Sequence, residues 1–111
     1  MITISASNPN ALLAAIKKAI DDREVQTWTY DSDGDFTHSA QQWNNQAWLR
    51  PSVQAGALTM NIMPPQAKNI SSEVYAVYHG RFVEMVLAHF DSRFTAASAT
   101  ALPAVTDRVA A

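Results

Sequence analysis

Hydrophobic positions recur every three or four residues in two stretches of the chain, which predicts two amphipathic helices. The first begins at Pro9 and continues to about Arg23, with Asn8 as its cap. A proline suits the first helical position because the N–H that it lacks would have no partner within the helix. The second begins at Ser71 or Ser72, with Ser72 preferred as the cap. Its apolar run, Val74 to Phe90, predicts a helix of about 20 residues.

Between the helices the period changes to two, and the segments Val25–Tyr30 and Phe36–Ala40 predict a β-hairpin. A two-residue turn is one possibility. A three-residue loop ending at Gly34 in the left-handed conformation is favoured, because its register places four large side chains on one face. In that register the pairs are Tyr30 with Phe36 and Trp28 with His38.

Four other segments have the character of strands. Ile2–Ala6 alternates weakly and suits a short edge strand or an extended lead-in. Ala47–Arg50 suits a strand that Pro51 closes, since proline has no N–H to donate. Leu58–Met63 alternates apolar and polar side chains and predicts a half-buried strand, and Thr95–Leu102 predicts a last edge strand.

These elements predict one α+β domain over residues 1–102, an antiparallel meander of 3–5 strands with two helices packed on one face. The polar segment Gln41–Gln46 has no clear period and is expected to form a loop or a short helical turn. Residues 103–111 are expected to form a disordered tail.

Composition narrows the possible partners. The 111 residues are 48% hydrophobic, and eight Lys and Arg against ten Asp and Glu give a net charge of −2. The basic residues are scattered along the chain, which disfavours nucleic acid as a partner. No apolar run approaches a membrane span, and the N-terminus lacks the pattern of a signal peptide, so we expect a cytoplasmic protein that does not bind membranes.

A metal site is not expected. The chain has no cysteine, and the acidic loop Asp31, Asp33 and Asp35 departs from a calcium-binding loop at two positions. Phe36 stands where that loop has glycine, and Gln42 stands where it has a bidentate glutamate. A polar hairpin loop explains the aspartates better, and no motif predicts a cofactor.

Two histidines and a glycine stand out in the second helix. His79 falls on its apolar face and His89 at the flank of that face, ten residues away, which is too far for one shared metal ion. Each is expected to be an interior or rim histidine with a hydrogen-bond partner, or a group in a cleft. Gly80 is unfavourable inside a helix, so we expect another backbone to approach closely there, from the first helix or from a second subunit.

The three tryptophans are numerous for a chain of this length. Trp28 belongs to the hairpin face, whereas Trp43 and Trp48 stand among polar residues, and such aromatics are typical of interface anchors or of ligand-stacking walls. Packing at the edge of the core is the alternative. The candidate ligand-binding residues are Trp28, Tyr30, His38, Trp43, Trp48, Arg50 and His79.

The segments Trp48–Pro51, Val77–Met85 and His89–Asp91, together with the hairpin Trp28–Asp35 and the overall size, resemble small uncharacterised bacterial proteins carried on mobile integron gene cassettes. The resemblance implies a compact cytoplasmic α+β protein that self-associates. It carries no activity and no site residues over to this chain.

Three functions fit these observations. A non-enzymatic binding module, self-associating as a homodimer and taking a small molecule or a protein, is favoured because the aromatic surface exceeds what a small core needs. A cofactor-free hydrolase or isomerase is the second and needs His38 or His79 in a pocket with a second polar group. An antitoxin-like or immunity-like protein is the third and needs Trp43, Trp48 and Arg50 in one exposed patch.

Overall fold

A computed structural model describes residues 1–111 and forms one antiparallel sheet of six strands with two helices. The strand order across the sheet is β2-β3-β4-β5-β1-β6. In chain order the elements are β1 Ile2–Ser5, α1 Pro9–Asp21, β2 Trp28–Tyr30, β3 Phe36–His38, β4 Trp48–Gln54, β5 Ala57–Met63, α2 Ser72–Phe90 and β6 Ala96–Ala99.

One face of the sheet forms the core. Across three strands, Met60 lies opposite both Ile2 and Pro51, and Ile62 lies opposite Leu49, so these side chains share a face. All but Pro51 are completely buried there, and the buried sides of both helices belong to the same hydrophobic cluster. The alternate residues of β5 are half-buried on the other face. The predicted α+β class is confirmed, with one strand more than expected.

Local signals fix the helix starts. The Asn8 side chain accepts a hydrogen bond from the Ala11 N–H at 3.1 Å, as predicted for the cap of α1. For α2 the cap is Ser71, whose hydroxyl accepts from the Val74 N–H at 3.2 Å, so the preference for Ser72 is wrong by one residue. Helix α1 ends at Asp21, before the predicted Arg23, because Arg23 has a positive φ of 63°.

The hairpin has the favoured register. Trp28 pairs with His38 and Tyr30 with Phe36, and Gly34 is in the left-handed region with φ 84°. Burial therefore decided the register, as expected when one face of a hairpin meets a core.

Two strand predictions need correction. Strand β1 is not at the edge but lies between β5 and β6. Its Ile2 and Ile4 side chains are both fully buried. Strand β4 does not close at Pro51 but continues to Gln54. Strand β3 pairs with β4 only at Leu49, so no strand on that side requires an N–H from Pro51.

The C-terminal part of the chain agrees with the sequence in one respect and differs in another. Strand β6 is an edge strand within the predicted Thr95–Leu102 segment. The tail expected to be disordered packs instead against the sheet and α2, with the Arg108 N–H donating to the Ile62 carbonyl and the Ile70 N–H to the Val109 carbonyl. The composition of the tail could not predict this packing, because the contacts join segments that are far apart in the sequence.

Candidate functional site: a cleft between the hairpin and α2

A cleft of about 450 Å³ opens between the β2–β3 hairpin, the Ala40–Gln46 loop and the C-terminal half of α2. Its volume lies in the range of small-molecule sites. Trp28, His38 and Trp43, three of the seven candidate residues, line it together. They come from two strands and a loop, so the fold rather than sequence proximity brings them to one place.

Trp28 forms the inner wall. The hairpin register places it opposite His38, with ring centroids 5.1 Å apart, and helix α2 presses Phe82 and Tyr78 edge-on against its ring at 5.0 and 5.6 Å. The side chain is only 1% exposed, and its indole N–H has no hydrogen-bond acceptor in the protein. An unsatisfied buried donor of this kind costs about 1–3 kcal/mol.

Trp43 is held in place by a hydrogen-bond network centred on Tyr78. The Tyr78 hydroxyl donates to the Trp43 carbonyl and lies 3.0 Å from the Thr37 Oγ1. Thr37 in turn donates to the Ala47 carbonyl at 2.9 Å and accepts from the Asn45 N–H at 3.1 Å. The middle of the polar loop and its C-terminal end are thereby bonded to one buried hydroxyl pair, which fixes the outer wall of the cleft.

The His38 ring accepts one backbone hydrogen bond and has one N–H without a partner. The Ala40 N–H donates to its Nδ1 at 3.1 Å, so the proton of the neutral ring lies on Nε2. Nε2 makes no hydrogen bond within the protein and remains available to a ligand. Burial lowers the pKa of His38, the nearby Arg81 charge lowers it further, and Glu84 opposes them, so the ring is held neutral at pH 7.

The remaining wall is a stripe along α2, of which the sequence indicated only His89 as a possible group in a cleft. Arg81 Nη1 lies 3.4 Å from Glu84 Oε1, and both side chains are more than half exposed. The members of the stripe are Arg81, Glu84, Met85, Ala88 and His89. Their spacing of i, i+3, i+4, i+7 and i+8 places them on one face of the helix, but charged residues at such positions are also typical of a solvent-exposed face.

Three candidate residues lie elsewhere. The Tyr30 ring contacts α1, where its hydroxyl donates to Asp21 at 2.7 Å and the Lys17 ammonium lies 5.5 Å from its centroid. Trp48 and Arg50 alternate with the buried Leu49 and so face the opposite side of the sheet. Arg50 forms a two-pronged ion pair there with the buried carboxylate of Asp35, at 3.0 and 2.8 Å.

That ion pair also changes the interpretation of the acidic loop. Oxygens of Asp31, Asp33 and Asp35 lie within 4.8 Å of one another. Asp35 is paired with Arg50, and the Asp31 carboxylate accepts the N–H groups of Asp33 and Asp35 at 3.0 Å each. The carboxylates that organise the hairpin loop are therefore already engaged.

His79 lines a different cleft, between the N-terminal half of α2 and the end of β6. Its Nδ1 lies 2.7 Å from the Tyr75 carbonyl, to which it donates, and its Nε2 lies 3.1 Å from the Met1 ammonium group. Burial lowers the pKa of His79; the hydrogen bond to Tyr75 opposes this, and the ammonium adds to the lowering. Both ring nitrogens thus have partners, as the interior-histidine hypothesis expects.

The Met1 ammonium group is the centre of that second network. It contacts the Asp107 carboxylate at 2.6 Å, the Thr100 hydroxyl at 2.8 Å and the Tyr75 hydroxyl at 3.1 Å. The Asp107 side chain is completely buried, which by itself raises the pKa of its carboxyl group. Hydrogen bonds from Met1, Asn61 and two backbone N–H groups outweigh burial and lower that pKa.

The chain matches no protein-family model, no curated protein and no solved structure. Neither of its helices combines the length and hydrophobicity that crossing a membrane requires. The cleft itself offers aromatic walls, the free Nε2–H of His38 and the guanidinium group of Arg81, and Trp28 in its wall has a buried indole N–H without an acceptor. This set suits recognition of a small planar molecule that carries a hydrogen-bond acceptor.

Proposed function

We propose that the protein is a non-catalytic binding module whose cleft takes a small aromatic molecule bearing a carboxylate. The observation that carries this proposal is the buried Trp28 indole N–H without an acceptor, in a residue that lines the cleft. The neutral His38 Nε2–H supplies a second donor. A carboxylate has enough lone pairs for both donors and for Arg81.

The aromatic part of the ligand is argued from the walls. Trp43 is half-buried at the cleft, and Met85 adds a polarisable apolar surface from α2. Ring-to-ring contact favours a flat ligand over a puckered one of equal size. Arg81 is 56% exposed and its pair with Glu84 is long, so it can turn toward an anion at little cost.

The enzymatic alternative is less well supported. A general base needs a lone pair directed at substrate, but Nδ1 of His38 already accepts the Ala40 N–H. His79 lies in the other cleft with both nitrogens bonded within the protein. For the antitoxin-like alternative, Trp43 lines the cleft whereas Trp48 and Arg50 do not, and Arg50 is paired with Asp35.

Three matched probes test the proposal by ligand-observed NMR titration: benzoate, benzylamine and cyclohexanecarboxylate. We expect benzoate to bind with a dissociation constant of about 1 mM, as small fragments do, and the other two at least about fivefold more weakly. Equal binding of benzylamine would refute the anion preference, and equal binding of cyclohexanecarboxylate would refute stacking.

A pair of surface variants locates the binding. Arg81→Gln removes the guanidinium at the cleft and is expected to weaken benzoate about fivefold, or about 1 kcal/mol. Arg93→Gln makes the same change outside the cleft and is expected to leave binding unchanged. If the two variants behave alike, benzoate does not bind at the cleft.

We also propose that the module self-associates as a homodimer, since its edge strand β6 has neighbours on one side only.

A further inference from the structure

Strand β6 leaves backbone hydrogen-bonding groups unpaired at the edge of the sheet. The Thr100 N–H donates to the Met1 carbonyl, and antiparallel pairing alternates, so the backbone groups of Ser98 also face β1. The N–H and C=O groups of Ala97 and Ala99 therefore point away from the sheet. Monomeric proteins usually protect such an edge with lysine, proline or a bulge that turns it away.

The β6 edge has none of that protection. From 95 to 105 the chain carries no charged side chain, and its first proline is Pro103. Three of the four β6 residues are alanine, so no bulky group screens the backbone. The opposite edge, β2, is only three residues long and leads directly into the Asp31–Asp35 loop.

An apolar cleft of about 480 Å³ lies beside this edge, between β6 and the N-terminal half of α2. Ala76 and Gly80 line it from the helix, and Leu102, which is 79% exposed, lines it from the chain after β6. The polar groups of Tyr75 and His79 at the cleft have partners within the protein. An apolar surface, rather than a polar ligand, therefore suits the cleft.

We propose that β6 and this cleft form a homodimer interface, in which β6 pairs antiparallel with β6 of a second copy. The inference rests on the self-association included in the proposed function. A twofold axis at Ser98 places Ala97 of each copy opposite Ala99 of the other, and these are the residues with unpaired backbone groups. The pairing is complete by symmetry, with four new backbone hydrogen bonds.

A second copy fits this surface better than an unrelated partner for two reasons. An uncharged edge can face its own image without repulsion, whereas a charged edge cannot. The twofold axis also keeps the helices of both copies on the same side of the joined sheet, where α2 of one copy approaches the cleft of the other. Within one chain a Cβ at Gly80 meets nothing within 4 Å, so the first helix does not make the close approach that the sequence predicts, and the second copy is the alternative that remains.

Sedimentation velocity on the full chain tests the interface. The wild type is expected to sediment at twice the 12.2 kDa chain mass at 100 µM. Ser98→Lys places two ammonium groups face to face at the axis and is expected to raise the dissociation constant at least tenfold. The matched control Thr29→Lys, on the exposed residue of the β2 edge, is expected to remain dimeric.

A second variant distinguishes loss of the dimer from loss of the fold. Ala99→Pro removes an N–H that points away from β1, so the pairing of β1 with β6 survives while the dimer weakens. A monomeric wild type, or a Ser98→Lys variant as dimeric as the wild type, overturns the inference. Benzoate titration of Ser98→Lys separates the two proposals, because the ligand cleft lies at the other half of α2: binding by a monomer leaves the cleft function intact.

Discussion

The hydroxyl of Tyr78 on α2 lies 3.0 Å from the hydroxyl of Thr37 on β3, and the two together hold the loop that carries Trp43. Tyr78 is fully buried, and Thr37 is 7% exposed. This pair couples the helix, the hairpin and the outer wall of the cleft lined by Trp28 and His38. The cleft is therefore preorganised by groups that do not themselves need to touch a ligand.

Tyr78→Phe removes that coupling. The variant leaves the Trp43 carbonyl without its donor, and we expect a loss of about 1–2 kcal/mol in the free energy of unfolding, measured in urea. Benzoate binding is expected to weaken because Trp43 is no longer fixed. Tyr30→Phe removes a hydroxyl that bonds at the surface and is expected to change stability by less than about 0.5 kcal/mol. Equal effects of the two substitutions would contradict the role of Tyr78.

The Arg50–Asp35 pair is expected to stabilise the hairpin without contributing to binding. Arg50→Met strands a buried carboxylate and is expected to cost about 1–3 kcal/mol in urea unfolding. Combining it with Asp35→Asn, which removes the charge, is expected to recover much of the loss. Benzoate affinity serves as the control and should not change; a change would return Arg50 to the list of ligand contacts.

Stability is expected to fall with acid in two separate pH windows. The pKa values of His38 and His79 are lowered on folding, so the unfolded chain binds more protons and stability decreases as the pH falls below the ordinary value of 6.5. The lowered pKa of Asp107 produces a second loss, below its ordinary value of 3.8. Urea unfolding between pH 8 and pH 2 measures both.

Variants assign these windows. His38→Gln should remove its share of the upper one and leave the share of His79. Asp107→Asn should flatten the lower one while reducing stability at pH 7 by about 2 kcal/mol, because the Met1 ammonium loses its carboxylate. A stability that is constant from pH 8 to pH 5 would show that the two imidazoles are not held neutral by burial.

Gly80→Ala is expected to have opposite effects on the isolated chain and on the dimer. Gly80 is exposed in the middle of α2, and a Cβ there has free space, so the substitution should stabilise the isolated chain by about 1 kcal/mol. The Ser98→Lys background provides that isolated chain for urea unfolding. In the wild-type background the added methyl group should weaken the dimer by sedimentation. A dimer of unchanged affinity would remove Gly80 from the interface.

The parts of the fold that depend on local signals could be predicted from the sequence. Asn8 and Pro9 determine the start of α1, and the hairpin register follows from which face carries Trp28 and His38. The interior position of β1 could not be predicted, because its two neighbours, β5 and β6, follow it by more than 50 and 90 residues. The packing of the tail on Met1 and Ile62 is non-local in the same way.

The candidate site shows the same division. The excess of tryptophan brought Trp28 and Trp43 into consideration and the hairpin register brought His38, and the structure places these three around one cleft. Neither signal could separate these residues from Trp48 and Arg50. The side of the sheet on which a strand residue lies depends on the register of that strand with partners elsewhere in the chain. Arg81 and Glu84 were missed because a charged helix face has the same pattern whether it meets solvent or borders a cleft.

The indole N–H resonance of Trp28 in an ¹⁵N-labelled sample reports most directly on the cleft. Three tryptophans give three such resonances, and Trp28→Phe and Trp48→Phe assign the two that are compared. On titration with benzoate we predict a downfield shift of the Trp28 resonance, as its N–H gains an acceptor, while the Trp48 resonance stays in place. A Trp28 resonance that does not move at saturating benzoate, or that moves no more than that of Trp48, would contradict the binding site proposed here.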